Sequence, residues 1–198
     1  MRSRRGRPPA YDREAALIAI AEAFRVRGYA AASLEEIARA AGMNRPSLFA
    51  AFGNKKAMYL AALEDYRRRM RVAVSPALEG DGALSKVLVD FFDAVIAFYH
   101  EGTAPGCLVL CTAPAEALAD KEIGRALADS ITEIEEQLRR RILRAADEGK
   151  GVRDPAGLAQ LMLATLTGVA IHARAGVKQA NLKRFARANI AAAMPGTG

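Results

Sequence analysis

The chain has no tryptophan, only two cysteines (Cys107, Cys111) and only two histidines (His100, His172) in 198 residues. A zinc centre at the cysteine pair would need further ligands, and only the two histidines exist to supply them, so neither metal nor cofactor is expected. Two imidazoles also leave little acid–base machinery. No Ser/His/Asp pattern, phosphate-cradling glycine loop or clustered acidic site accompanies them, which argues against an enzyme. No clear strand run appears and helix formers dominate, so the chain reads as all-α, with about nine helices. The longest apolar runs are interrupted by charge and look too short to span a bilayer. The arginine-rich beginning lacks the apolar segment of a signal peptide. Two cysteines without an export signal fit a reducing cytosol and no structural disulfide, so a cytoplasmic location with no membrane partner is expected.

What the chain does carry is positive charge, unevenly placed. Its formal net charge is +7, and residues 1–75 hold 15 Lys and Arg against 7 Asp and Glu, while the remainder hold 14 against 15. Basic charge confined to one part of a chain is the footprint of a phosphate-binding surface. Inside that part, residues 33–56 read S-L-E-E-I-A-R-A-A-G-M-N-R-P-S-L-F-A-A-F-G-N-K-K. Ser33 and Glu36 have capping-box spacing. Leu34, Ile37, Ala38 and Ala41 recur at helical spacing, and Gly42 follows where a left-handed cap needs no β-carbon. Asn44 suits the N-cap of a second helix and Pro46 its first turn. Leu48 and Phe52 then point inward, leaving Arg45, Ser47, Ala50 and Ala51 outward. Two short helices about a glycine turn have the size of a helix-turn-helix, whose second helix reads the major groove with its N-terminal residues. Arginine can fork onto a guanine edge there, and small side chains permit contact with a thymine methyl. Glu35 is an unhelpful charge beside phosphates unless it accepts from a cytosine amino group. A long helix over about 55–74 follows, capped by Asn54. Lys55 and Lys56 oppose its dipole, which a nearby phosphate would explain. Arg67, Arg68, Arg69 and Arg71 read as a solvated face.

The first helix, over about 12–27, ends in Arg27-Gly28-Tyr29. With S-L-E-E-I-A-R-A-A-G and N-R-P-S-L-F-A-A-F-G-N-K, it resembles the TetR family of bacterial transcriptional regulators over roughly residues 12–60, without a gap. The resemblance implies a homodimer that binds a palindromic operator in double-stranded DNA, repression as the usual outcome, and release by a small-molecule effector. It implies an N-terminal three-helix module followed by a larger helical ligand-binding and dimerisation bundle. Resemblance and helix geometry together nominate Ser33, Asn44, Arg45, Pro46, Ser47, Phe49, Ala50 and Lys55 for DNA, Lys55 on the backbone. Phe49 stands where many members carry tyrosine, and Ala51 where many carry histidine or another polar residue. Arg4, Arg5 and Arg7 lie in a basic arm over residues 1–10 that either enters a minor groove or is only a solubilising tail. The competing reading is a non-specific architectural DNA-binding protein, which would not need a large neutral second module.

The expected organisation is an arm (1–10), a helix-turn-helix domain (11–54), a connecting helix (55–75) and an effector-binding and dimerisation domain (76–198). One recognition helix reads only a few base pairs, so a dyad-related pair is expected. Small residues Ala164, Gly168 and Ala175 among Leu161 and Ile171, with Leu182, Phe185 and Ile190 on the last helix, either form a dimer interface on the last two long helices, as the resemblance implies, or only close the core of one protomer. The resemblance implies an effector pocket among an aromatic helix (about 83–99), a cysteine-bearing helix (about 107–118) and a long helix (about 121–148). Phe91, Phe92, Val95, Phe98, Cys107 and Cys111 are its candidate lining, and sparse charge there points to a small, mostly apolar ligand. Cys107, near a helix N-terminus that lowers a thiol pKa, is either a sensor of oxidants or electrophiles, as in some family members, or a packed core residue.

Overall fold

Short-range side-chain caps start the first four helices. The computed structural model describes residues 11–148, 152 and 154–194. In it Asp12 accepts the amides of Glu14 and Ala15 at the start of α1 (Arg13–Arg27). Ser33 and Glu36 form the expected reciprocal box at the start of α2 (Leu34–Ala40). Asn44 accepts the Ser47 amide to open α3 (Arg45–Phe52), and Asn54 the Ala57 amide to open α4 (Lys55–Glu79). Each cap satisfies donors that a helix start leaves unpaired and contributes about 1 kcal/mol. Gly42, at φ 64°, makes the left-handed turn between α2 and α3 that a side chain would strain. Next come α5 (Leu84–Tyr99), α6 (Leu108–Thr112), α7 (Lys121–Asp147), α8 (Pro155–Arg174) and α9 (Gln179–Ala193), with no strand among the described residues.

The long α4 is the axis of the molecule. Along its length it meets α1, α3, α5, α6 and α7. On the far side α8 packs against α7 and α9, and α9 also meets α5. Ile20, Phe24, Ile37, Leu48, Met58 and Tyr59 are all fully buried under the recognition hairpin. They belong to one continuous apolar cluster with Phe91, Phe92, Ile142, Met162 and Leu166. Burying one such side chain contributes roughly 1.5–3 kcal/mol, so the hairpin is rigidly seated on α4. The Tyr59 ring lies 4.9 Å from Phe24 and 4.8 Å from Tyr29, and its hydroxyl is 2.6 Å from Thr112 Oγ1. A single residue thus joins α1, α4 and α6.

Four expectations need adjustment. The connecting helix does not stop at residue 75 but continues through Pro76 to Glu79. Leu78 is buried there, and Arg141 and Arg144 donate to the carbonyls of Glu79, Gly80 and Gly82, closing the helix end. The cysteine-bearing helix is only α6, ending at Thr112, because Pro114 brings no N–H to continue the ladder. The last helix opens at Gln179 rather than Asn181, its first turn closed by the Lys178 carbonyl. Finally, α8 is long and apolar enough, by length and composition alone, to cross a membrane. It serves here as a packed helix that buries Met162, Leu166, Val169 and Ala173.

Candidate DNA-binding face, effector cavity and dimer surface

Leu48 and Phe52 anchor α3 from below, which turns Arg45, Pro46, Ser47, Phe49 and Ala50 outward as exposed residues. Ala51 is not outward; it is half-buried against the core, because the apolar face centred on Leu48 and Phe52 widens to include it. Asn44 is exposed but its Oδ1 holds the Ser47 amide at 2.8 Å. The Ser33 hydroxyl accepts from the Glu36 amide at 3.1 Å and donates to the Glu36 carboxylate at 2.9 Å. The amide and hydroxyl of Ser33 hold Glu36 below the usual carboxylate range, aided by Arg27. Glu35 approaches Arg45 only to 3.9 Å, in solvent. Such a pair contributes about 0–1 kcal/mol, so Arg45 stays free to turn to a base edge. Arg4, Arg5 and Arg7 lie outside the described residues.

The lysines at the start of α4 have protein partners that the sequence did not reveal. Lys55 Nζ donates to the Ala30 carbonyl at 3.0 Å and sits 5.1 Å from the centre of the Tyr29 ring. An ammonium has three protons, so a phosphate contact remains open to it. Lys56 pairs with Glu122 at 2.8 Å and Asp120 at 3.2 Å, which raises its pKa and ties the start of α4 to the start of α7. The arginine run is solvated at Arg68 and Arg71, as expected, but all four members are also ion-paired. Arg67 and Arg71 both pair with Glu133 on α7, while Arg68 and Arg69 share the buried Asp65, and Arg68 also reaches Glu14 on α1. A buried carboxylate such as Asp65 persists only with partners of this kind.

A second link runs from α1 to the loop before α6. The Glu22 carboxylate accepts from the Thr103 amide (2.7 Å), the Thr103 hydroxyl (2.6 Å) and the Ala104 amide (3.1 Å). Burial pushes Glu22 up, but these bonds and Arg25 outweigh it and hold the carboxyl below its ordinary value. Arg25 donates to the Glu101 carbonyl, and Arg174 at the end of α8 donates to the Arg25 carbonyl. The helix that supports the reader is therefore hydrogen-bonded to the second module at two places.

An apolar cavity lies between α4, α5, α6, α7 and α8. Phe91 and Cys107 line it, together with Tyr66, Met70, Ile134, Leu163 and Leu166. Phe92, Val95, Phe98 and Cys111 are not among its lining. Phe92 and Val95 are fully buried in the core, Phe92 on another side of α5 and Val95 one turn beyond Phe91. Phe98 packs its ring 5.0 Å from Tyr66, and the Cys111 thiol faces the Ala170 carbonyl at 3.6 Å. The cavity measures about 30 Å³, room for about one water. Arg67, Arg71 and Glu133 stand on its edge, which sequence spacing could not place there. Cys107 caps α6, but that helix is one short turn and the thiol is 2% exposed. Burial pushes its pKa up to about 11, opposed by the Leu110 amide, which fits the packed-core reading rather than the sensor reading. Both cysteines are free thiols, and no group of three metal-ligating side chains occurs among the described residues.

Leu161, Ala164 and Ile171 on α8, with Ala175 at its C-cap, form an exposed stripe, Leu161 being 42% and Ile171 48% accessible. The Phe185 ring packs on Gly168, where an added β-carbon would sit 3.3 Å from it, and lies 5.2 Å from His172. Leu182 and Ile190 are instead buried within the protomer, because α9 turns that face onto α5 and α8. They are unavailable to a second copy.

Comparison with known proteins places this geometry. Residues 17–62 match the family model of bacterial regulatory proteins, tetR family. The chain is 27% identical over 146 residues to the uncharacterised HTH-type transcriptional regulator YezE of Bacillus subtilis, covering 73% of this chain and 75% of that protein. It is 34% identical over 112 residues to the HTH-type transcriptional repressor ComR of Escherichia coli, spanning about half of each, 54% and 53%. Among solved structures, a cysteine mutant of the TetR family regulator CifR, complexed with 26-bp double-strand operator DNA, superposes with a TM-score of 0.83 at 27% identity. That match covers 94% of this chain and 99% of that one. The helix-turn-helix match over residues 17–62, the related regulators and the superposition together make the chain similar to TetR-family transcriptional regulators that bind operator DNA, and point to a DNA-binding regulator rather than an enzyme.

Proposed function

We propose that the chain represses transcription by binding a palindromic operator as a homodimer, and that a small effector in the second module releases it. The observation that carries this reading is the placement of two exposed surfaces on one frame. Arg45, Ser47, Phe49 and Ala50 face outward on α3, and the Leu161–Ala175 stripe faces outward on α8. Pairing through α8 would present two readers to half-sites spaced by about one helical turn, roughly 10 bp. Base reading falls to Arg45, Ser47, Phe49 and Ala50, and backbone contact to Lys55 and the arm arginines Arg4, Arg5 and Arg7.

An effector can act only through a difference in affinity between two states. The bonds of Glu22 to Thr103 and of Lys56 to α7 give it a handle, since both join the reader to elements that border the cavity. Work of this kind belongs in the cytoplasm, on chromosomal DNA. A Cys107 trigger is disfavoured by that thiol's burial and raised pKa.

Footprinting on the DNA flanking its own gene, with a transcriptional reporter, tests the proposal. A dyad-symmetric footprint and a rise in transcription on deletion are expected. Uniform protection along the duplex would mean an architectural DNA binder, and a fall in transcription on deletion would mean an activator.

A further inference from the structure

Beside the apolar cavity, between the C-terminal half of α4 and α7, runs a groove of about 590 Å³. Small-molecule sites occupy roughly 300–1,000 Å³, so the groove is large enough where the cavity is not. The two meet at Arg71, Glu133 and Gln137, which line both. Four arginines and three glutamates line the groove, one positive charge in excess.

That excess has a definite location. Glu133 is engaged by Arg67 and Arg71, and Arg140 reaches Glu136 at 3.8 Å. Arg141, 4% exposed, uses Nη2 on the carbonyls of Gly80 (3.2 Å) and Gly82 (3.1 Å). Its Nε and Nη1 are buried with no hydrogen-bond partner among the described residues. Burial disfavours its charged form and Arg144 alongside adds a like charge, while Glu148 and the fully exposed Asp81 act in the opposite direction, and the balance lowers the Arg141 pKa. Leaving a buried guanidinium nitrogen without an acceptor is costly, and an anion in the groove that drew the guanidinium toward it would remove that cost.

We infer that this groove is the head-group subsite of the effector site, where Arg141 takes the carboxylate of an amphipathic monoanion whose apolar tail enters the cavity at Met70 and Ile134. The inference rests on the effector-released reading above. A single excess charge suits a carboxylate better than a phosphate dianion. Met70 is unbranched and can move aside, which lets a cavity of one-water size widen for a tail.

Isothermal titration calorimetry on the full chain, with decanoate, 1-decanol and decyl phosphate as probes, tests it. Decanoate should bind once per protomer, and decanol at least about tenfold more weakly, the loss expected for a hydrogen-bonded charge. Decyl phosphate should bind more weakly than decanoate. Arg141→Gln should weaken decanoate at least about tenfold and Arg141→Lys less. No decanoate binding, equal binding of decanoate and decanol, or a folded Arg141→Gln with unchanged affinity would overturn the subsite. Tighter binding of decyl phosphate would overturn the carboxylate assignment. The three-ligand comparison needs no variant, so a folding defect in Arg141→Gln leaves the test intact. Operator binding is measured separately. If decanoate binds through Arg141 but leaves the operator complex unchanged, the subsite stands and the release mechanism fails; if decanoate does not bind while operator recognition is intact, the subsite alone fails.

Discussion

In the recognition hairpin Ser33 bonds to Glu36 and Asn44 to Ser47, each three residues away. Along the wall between α4 and α7, Arg67 meets Glu133 across 66 residues and Arg141 meets Gly80 across 61. Both regions are built from ordinary polar contacts, but the hairpin is organised by neighbours in sequence and the wall by neighbours in space. The difference decides how each can be used. A hairpin whose caps are local keeps its shape whatever the second module does, so it suits a fixed reading head. A wall held by ion pairs between separate helices can shift when those helices move, so it suits a regulated site.

The largest test of this division falls on the surface that would pair two reading heads. Ile171→Glu should split the dimer and weaken operator binding by roughly 100-fold or more, read by sedimentation equilibrium and by titration of labelled operator. A variant that remains dimeric would move the contact off the α8 stripe. Next, Arg45→Ala should cost about 1–3 kcal/mol at one base position and relax specificity there, measured against a set of singly substituted operators. Uniform weakening on every duplex would make Arg45 a phosphate contact. Lys55→Ala should instead weaken binding to all sequences alike and lower the salt slope by about 1.

Smaller effects probe the local organisation. Asn44→Ala should destabilise the chain by about 1 kcal/mol in urea melts, with little change in how α7 packs on α4. A much larger loss would mean that the hairpin depends on distant contacts after all. The smallest expected effect concerns pH. Cys107 rises from an ordinary 9.0 to about 11 on burial. Between those values the unfolded chain has released a proton that the native chain retains. Stability from this group is therefore full below pH 9 and is lost as pH climbs toward 11. The urea midpoint of the wild type should fall more over that range than that of Cys107→Ala, and equal falls would mean that the thiol is not buried in solution.

The same contrast explains what could be read from the chain. Asp12, Ser33, Asn44 and Asn54 announce helix starts through their own spacing, and Leu48 with Phe52 fixes which side of α3 turns outward. The cross-helix pairs of Arg67 and Arg71 with Glu133 and of Arg68 with Glu14 carried no such signal, because those partners lie on α7 and α1, whereas Arg68 and Arg69 meet Asp65 at i,i+3 and i,i+4 spacing within α4. Apolar character likewise identified α5 as core without telling which phenylalanine meets the cavity. Phe91 faces it, while Phe92, one residue on, is rotated about 100° away into the interior. Leu182 and Ile190 were legible as apolar, but only packing shows that their own protomer covers them. Burial likewise chooses between the two readings of Cys107, since a helix terminus lowers a thiol pKa only where the charged form is not excluded from water.

The central claim is that the fixed head reads sequence and does not merely attract phosphate. It is tested most directly by the dissociation constants of the operator and of a scrambled duplex of equal length, measured over a range of salt concentrations. The account predicts an operator complex at least about 10³-fold tighter than the scrambled one, with the preference surviving as salt weakens both. Equal affinities that fall with the same steep slope would contradict it.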